Sequence, residues 1–480
     1  MNSQLDSQKL KDLFKDSEDV QTYDLTIEGK KLLFIYCEGL CDEQFLNEEF
    51  LPTFKSHLIN SHFKTATEAI ENFHKMSHKR VYKEEEIIEK VYSGELIIHL
   101  YENKENYLYD LASPPARQTE ETSAEVTVRG PRDGFVESME INVALIRKRL
   151  KTNSLVYETF TVGERSKTPV GLLFVNDIAR DETINHIRSL LKNIDIDALV
   201  NTNQLEELIH ETPLRILPMY HYTGRPDFAV NSLLMGRFVL FIDGSPVALT
   251  APVNLPYILK TGEDQVYPWF FNSFERIMRL AGLIIGILLP GFWVALSAFH
   301  QDQIPLVFLS SASQARQGVP LPTPVEALLL VLLFDLLKEA GLRLPFNVGQ
   351  ILGVVGGLII GDAAIRAGIT SPANVVMVAT STVATFTIAN QSLSGVVSLL
   401  RIFVLVIASF TGLYGFFVAS FLLLIYMANL RSFNMPYLAP IAPFNLRGAV
   451  KAIIHPPEKL KKKRPTMLDV KDTDRGNTPK

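Results

Sequence analysis

LAGLIIGILLPGFWVALSAF, residues 280–299, carries no charged side chain, and it is about as long as a helix that crosses roughly 30 Å of hydrocarbon. A second uncharged run, IFVLVIASFTGLYGFFVASFLLLIYMANL, fills residues 402–430, and just eleven charged residues fall between Ile277 and Leu430. Soluble domains rarely hold such runs, so this region reads as an integral membrane domain. With 480 residues the chain is long for one domain, and residues 1–275 form a large half outside the membrane.

Working outward, MNSQLDSQKLKDLFKDSED at the start is polar and mixed in charge, which predicts no signal peptide. Arg276 and Arg279 precede the first apolar run, and Lys459, Lys461, Lys462, Lys463 and Arg464 follow the last. The positive-inside rule then places both termini in the cytoplasm and requires an even number of spans. Apolar segments lie at about 277–299, 324–340, 347–367, 373–391 and 396–430. The second holds Asp335, Lys338 and Glu339, with Arg343 just beyond, so it or its neighbour is expected to be re-entrant, interfacial or broken. About four spans remain. From Arg431 on, eleven basic residues stand against four acidic ones. That suits a solvated, partly disordered tail or contact with anionic lipid heads. No aromatic-laced basic motif accompanies it, which argues against nucleic acid.

The half outside the membrane reads as two α/β subdomains. In the first, residues 1–112, KLLFIYCEGL (31–40), GELIIHLYE (94–102) and NYLYDLA predict strands, with helices over 42–54 and in EEEIIEKVYSG. Residues 113–133, polar and rich in Pro, Ser and Thr, form the linker. The second subdomain, 134–265, opens on a helix whose apolar stripe is Val136, Met139, Val143, Ile146 and Leu150, with Asp133 as N-cap. LVYETFTVG and TPVGLLFVNDI follow as strands, TINHIRSLLKNI and FAVNSLLMG as helices, and RFVLFIDGSPVALTAP (237–252) as a hairpin about its Asp-Gly pair. The fold class is therefore a two-subdomain α/β N-terminal region followed by an α-helical polytopic membrane domain over 266–430 and a tail, 431–480.

VRGPRDGFVESMEINVALIRKRL (128–150) raises a separate question. A glycine-rich turn entering a helix is where anions bind, but Asp133 competes for those donors, and neither GxGxxG nor GxxxxGK[ST] is present. On the helix, Asn142 and Arg149 flank one side of the stripe, Glu140 and Arg147 the other. Arg132, Asp133, Asn142 and Arg149 are the expected inter-domain brace. No enzyme site emerges. His74 and His78 lie four apart on an expected helix, but HKMSH lacks the glutamate of a metalloprotease motif, and no GxSxG elbow occurs. Cys37 and Cys41 fit neither a zinc knuckle nor a CxxC pair and read as packed thiols. No cofactor or metal is expected.

RGPRDGFVESMEINVALIRKRL (129–150) closely resembles the signature of the A subunits of bacterial spore germinant receptors, the GerA family. TGRPDFAVNSLLMGRFVLFIDGSPVAL (223–249) resembles the family's second soluble block. LLPGFWVALSAFHQDQIP (288–305), RQGVPLPTPVEALLLVLLFDLLKEAGLRLP (316–345), VGQILGVVGGLIIGDAAIRAGITSP (348–372) and ATFTIAN (384–390) look like its membrane half, almost in order. The resemblance covers roughly residues 20–455. Gly224 departs from it, standing where an acidic residue is expected before Arg225, Pro226 and Asp227. The resemblance implies a receptor subunit in the inner spore membrane that senses small nutrients. It also implies a transporter-like B subunit and a lipoprotein C subunit as partners, and a homo-oligomeric A-subunit channel.

Within the membrane half, glycines at 349, 353, 356, 357 and 361 create a smooth helical face, suited to close packing or to a pore. On that helix Val354, Leu358 and Ile359 are candidates for a dewetted constriction, and Asp362 for a ring of negative charge. Asp362 and Arg366, four apart, form an ion pair within the bundle or line a pathway. A second polar stretch, with Thr380, Thr387 and Asn390, lines a pore or bonds helix to helix. Glu326, after GVPLPTP, is a candidate cation ligand. The leading reading is a ligand-gated channel subunit. The alternatives are a secondary transporter, which usually shows internal repeats with paired broken helices, and a scaffold within the receptor.

Overall fold

VQTYDLTI and KKLLFIYC meet across Glu28 and Gly29, whose φ values of 47° and 80° build a two-residue hairpin turn. The second of these strands is apolar without interruption because both its faces are covered. Leu32, Phe34 and Tyr36 join the core that contains Phe50, Phe54 and Leu58, whereas Leu33, Ile35 and Cys37 join the one that contains Leu10, Ile87 and Val91. A computed structural model of the chain describes residues 6–60, 66–73, 76–115, 130–210, 215–342 and 357–476. They form two compact units. One is Met1–Pro213 with Tyr220–Pro252 and Lys461–Lys480, and the other is Leu214–Met219 with Val253–Leu460.

The first unit repeats one plan twice. Lobe I runs α1 (Ser7–Leu13), β1 (Val20–Ile27), β2 (Lys30–Cys37), α2 (Leu51–Asn60), β3 (His78–Val81), α3 (Glu84–Val91), β4 (Leu96–Leu100) and β5 (Glu105–Tyr109). Lobe II runs α4 (Met139–Arg147), β6 (Leu155–Val162), β7 (Thr168–Val175), α5 (Asp181–Lys192), β8 (His221–Thr223), α6 (Pro226–Leu234), β9 (Phe238–Ile242) and β10 (Ala248–Ala251). The sheets have equivalent orders, β1-β2-β4-β5-β3 and β6-β7-β9-β10-β8, and every pairing is antiparallel.

Several sequence expectations change here. His78 opens strand β3, where it pairs with Tyr109, instead of sharing a helix with His74, which lies outside the described residues. The N-cap of α4 is Ser138, whose side chain accepts from Ile141 N; Asp133 is too far upstream. Lobe II ends at Pro252, not at residue 265. Beyond it, Leu255 N donates to Tyr437 O (2.8 Å) and Asn254 Nδ2 to Ala439 O (2.7 Å), which ties the segment to the helical unit. The tail divides as well. Residues 431–460 belong with the helices, and residues 461–476 pack on lobe II, where Leu468 and Val470 are buried. Arg464 Nε donates to Leu234 O at 2.8 Å and Lys471 Nζ pairs with Asp181 at 2.6 Å. Two apolar side chains among many charges suffice to dock what reads as a solvated tail.

The second unit holds α7 (Trp269–Phe299), α8 (Leu306–Ala315), α9 (Thr323–Leu342), α10 (Gly357–Arg366), α11 (Pro372–Thr385), α12 (Gln391–Thr411) and α13 (Leu413–Asn429). Among the described residues, α7 and α12 are long and apolar enough to cross a membrane by length and composition, and α8 and α13 are shorter apolar helices. The close-packing seam lies on α7. A Cβ on Gly282 would stand 2.7 Å from Ala384 O, and one on Gly291 would stand 2.8 Å from Val404 Cγ1. Only glycine lets α7 approach α11 and α12 so nearly. Residues 349, 353 and 356 of the expected glycine face lie outside the described residues.

Candidate functional site

Arg147 ends α4 and is wholly buried. Its Nε donates to Asp19 Oδ2 (2.7 Å) and its Nη2 to Asp19 Oδ1 (2.8 Å) and Ser17 Oγ (3.1 Å). Its Nη1 donates to Leu155 O (2.7 Å) and Thr152 O (3.3 Å). All five guanidinium donors are thus satisfied. The guanidinium also lies 4.3 Å above the Tyr92 ring, an arrangement that favours a desolvated cation. Asp19, Ser17 and Tyr92 belong to lobe I, so this residue joins the lobes. Burial works against its charge, but Asp19 outweighs burial and holds the guanidinium above its ordinary pKa. Beside it, burial and then Asp19 push the Cys37 thiol well up.

Three of the brace residues expected from sequence, Asp133, Asn142 and Arg149, take other places. Asn142 is buried, accepts from Val136 N (2.8 Å) and donates to Val136 O (2.6 Å), which pins the Gly-Phe-Val turn to its own helix. Arg149 pairs with Asp133 and donates to Leu145 O at 3.0 Å. These contacts stay within lobe II, and Arg132 is exposed. Phe135 N donates to Gly224 O (2.8 Å), while Arg225 is paired bidentately with Asp227. That pair forms although Gly224 is not acidic. The signal for Arg147 was present in the spacing of Glu140, Ala144 and Arg147, a second helical stripe; Ala144 packs in the lobe I core.

In the helical unit the polar chemistry gathers around α9. Glu326 Oε2 accepts from Asn374 Nδ2 (2.9 Å), Ser371 N (3.0 Å) and Thr370 Oγ1 (3.3 Å), and Oε1 faces Arg316 Nη2 at 3.4 Å. Trp293 Nε1 donates to Asn374 Oδ1 at 2.7 Å. This carboxylate is filled by donors, so a cation would have to displace them. Further along α9, Asp335 Oδ1 accepts from Arg401 Nη2 (2.6 Å) and Ser398 Oγ (3.1 Å). Arg401 Nη1 also reaches Ser381 and Thr382, each at 3.3 Å. Lys338 Nζ donates to Ser394 Oγ at 2.7 Å. Arg401 is the lone charged residue between 372 and 430, and that isolation is the sequence signal for a buried partner.

Of the expected pore residues, Val354 lies outside the described residues, and Leu358 and Ile359 lie on α10. Asp362 and Arg366 pair with each other at 2.7 Å and are exposed. Thr380 and Thr387 are exposed, and Asn390 is the N-cap of α12, accepting from Leu393 N.

Comparison with known proteins gives consistent matches. A family model described as Bacillus/Clostridium GerA spore germination protein matches residues 8–467. Spore germination protein XA of Bacillus anthracis is 44% identical over 93% of this chain and 91% of its own. The uncharacterized membrane protein YfkQ of Bacillus subtilis is 32% identical over 87% of this chain and 82% of its own. Among solved structures, the N-terminal domain of the A subunit of the Bacillus megaterium spore germinant receptor GerK3 aligns with a TM-score of 0.40 and 27% identity, over 51% of this chain and 94% of that one.

Proposed function

We propose that this chain, which belongs to the Bacillus/Clostridium GerA family of spore germination proteins, is the A subunit of a nutrient germinant receptor in the inner spore membrane. Its helical half is a polytopic membrane domain that forms, with further copies of the chain, a ligand-gated path for ions. One observation carries the membrane reading. The helical unit wears large apolar side chains outside and buries two of its charges. Phe410 (78%), Leu336 (67%) and Phe421 (64%) are exposed, while Glu326 (1%) and Arg401 (0%) are buried. That arrangement is unfavourable in water and natural in lipid. Trp269, Phe270 and Phe274, exposed at the start of α7, fit an aromatic belt at the interface.

Residues 1–213, 220–252 and 461–480 belong to one compact unit. A chain that leaves that unit at 252 and returns to it at 461 fits an even number of membrane crossings. This supports both termini on the cytoplasmic side. The basic residues 459–464 carry the orientation, since Arg276 and Arg279 are already paired with Asp264. The partners are a transporter-like B subunit, a lipoprotein C subunit and membrane lipids. The gate is placed on α10 and the residues before it, at Val354, Leu358 and Ile359, with Asp362 and Arg366 at its mouth. Thr380, Thr387 and Asn390 are the second choice of lining.

The test is deletion of the chain in its own spore former, followed by measurement of monovalent-cation release after nutrient is added. Lost release that the wild-type chain restores supports the reading, and unchanged release overturns it. Nutrient uptake carried by the chain without ion release would favour the transporter instead.

A further inference from the structure

A cavity of about 220 Å³ lies where the end of α7, helix α8 and the first turns of α9 and α11 converge. Trp293, Ser297, Leu309, Arg316, Thr323 and Ser371 are among its lining residues. Two observations there point to a ligand. Thr323 is 3% exposed, and its Oγ1 has no hydrogen-bond partner among the described residues; a buried hydroxyl left so is costly. Arg316, half-buried, meets Glu326 Oε1 at a long 3.4 Å, its side chain's one polar contact among the described residues. Glu326 does not depend on it. Its other oxygen takes three donors, one of them Ser371 N at the positive end of α11. Arg316 therefore lines the cavity as a cation with unused donors, beside an unpaired hydroxyl and the apolar Leu309 and Trp293.

We propose that this cavity binds a small monocarboxylate. The ligand's carboxylate pairs with the Arg316 guanidinium, one of its oxygens accepts from Thr323 Oγ1, and its short apolar body lies against Leu309 and Trp293. An engineered cavity of about 150 Å³ takes benzene, so a ligand of about nine non-hydrogen atoms marks the upper size. The site goes beyond the gating reading and stands without it, because carboxylate binding and ion release are measured separately.

The test uses the purified full chain in detergent at neutral pH and follows its thermal unfolding midpoint. Sodium butyrate is compared with butyramide, 2-naphthoate and sodium chloride at matched ionic strength. Butyrate should raise the midpoint saturably and the other three should not. Arg316→Gln should weaken butyrate by about tenfold or more, the loss expected of a charge-assisted hydrogen bond. Thr323→Val should weaken it as well, while leaving the ligand-free midpoint unchanged or higher, because it removes an unpaired buried hydroxyl. If Arg316→Gln fails to fold, Thr323→Leu, which fills the cavity, should abolish the butyrate shift. Equal shifts with butyramide or 2-naphthoate, or wild-type butyrate affinity in the Thr323 variants, would overturn the site.

Discussion

Arg147 donates to both carboxylate oxygens of Asp19, 128 positions earlier in the chain, and neither side chain is more than 6% exposed. The pair fixes the end of α4 in lobe II against the entrance to β1 in lobe I. Removing one member of such a pair strands the other charge out of water, at a cost of about 3–5 kcal/mol. Arg147→Met and Asp19→Leu should each lower stability by about that amount, whereas the double variant should recover much of it. Chemical denaturation of the full chain, completed as a double-mutant cycle, measures this. Additive losses below about 1 kcal/mol, the range of exposed ion pairs, would show that the pair does not brace the lobes.

The same cluster protects a thiol. Cys37 is buried, and burial together with the Asp19 carboxylate raises its pKa well above the ordinary thiol range. Cys41 is pushed up to about 12 by burial and then by Glu43. Thiolate is the reactive form, so neither cysteine should be alkylated by iodoacetamide in the native chain at mildly alkaline pH, while both react after denaturation. Asp19→Leu should expose Cys37 first. Rapid modification of Cys37 in the native wild type would contradict the packing drawn around Arg147.

Asp264 supplies a pH dependence. Burial raises its pKa, but Arg279 and Arg276, at 2.7 and 3.0 Å, outweigh burial and hold the folded value below 3.8. A carboxyl depressed on folding contributes stability that is complete above its unfolded pKa and is lost as pH falls through the folded one. The wild-type chain should therefore lose stability in acid below about pH 4, the unfolded carboxyl range, more steeply than Asp264→Asn does. At neutral pH Asp264→Asn should already be the less stable, because two arginines lose their counter-charge. Parallel midpoint-against-pH curves would refute the assignment.

How far the sequence was legible follows from which surfaces are covered. Strands β2, β4, β7 and β9 sit inside their sheets and read as apolar runs. Strands β1 and β3 are sheet edges; β1 buries just its end residues, Val20 and Ile27, so its partly polar sequence looks like a loop. In lobe II, β8 is a three-residue edge. The brace was less legible still. A buried arginine and a surface arginine look alike in sequence, and Asn142, which looked exposed to a neighbour, turns inward to Val136. The two-lobe repeat was hidden for a different reason. It is conserved in element order and sheet order, not in any motif that spacing could reveal. In the helices the inversion of polarity was visible as isolated charges in apolar runs, but not which charge would meet which.

The gate is the last expectation. Glu326, Asp335 and Arg401 tie α9 to α11 and α12 through buried and part-buried hydrogen bonds, and such a frame resists motion. The gate is therefore expected toward α10, where the exposed Asp362–Arg366 pair can be traded for contacts with another copy of the chain. A dewetted constriction is sensitive to side-chain size in both directions. Shrinking it should leak and enlarging it should block, whereas a packing position loses stability either way. A series of Ala, Val, Leu and Phe at positions 354, 358 and 359, read as monovalent-cation release from dormant spores without nutrient, separates the two. One position that releases cations constitutively as Ala and is silent as Phe, at normal protein level, would locate the gate. If every variant merely loses protein, the segment is packing, and Thr380 and Thr387 on the exposed side of the α11 region become the lining to test.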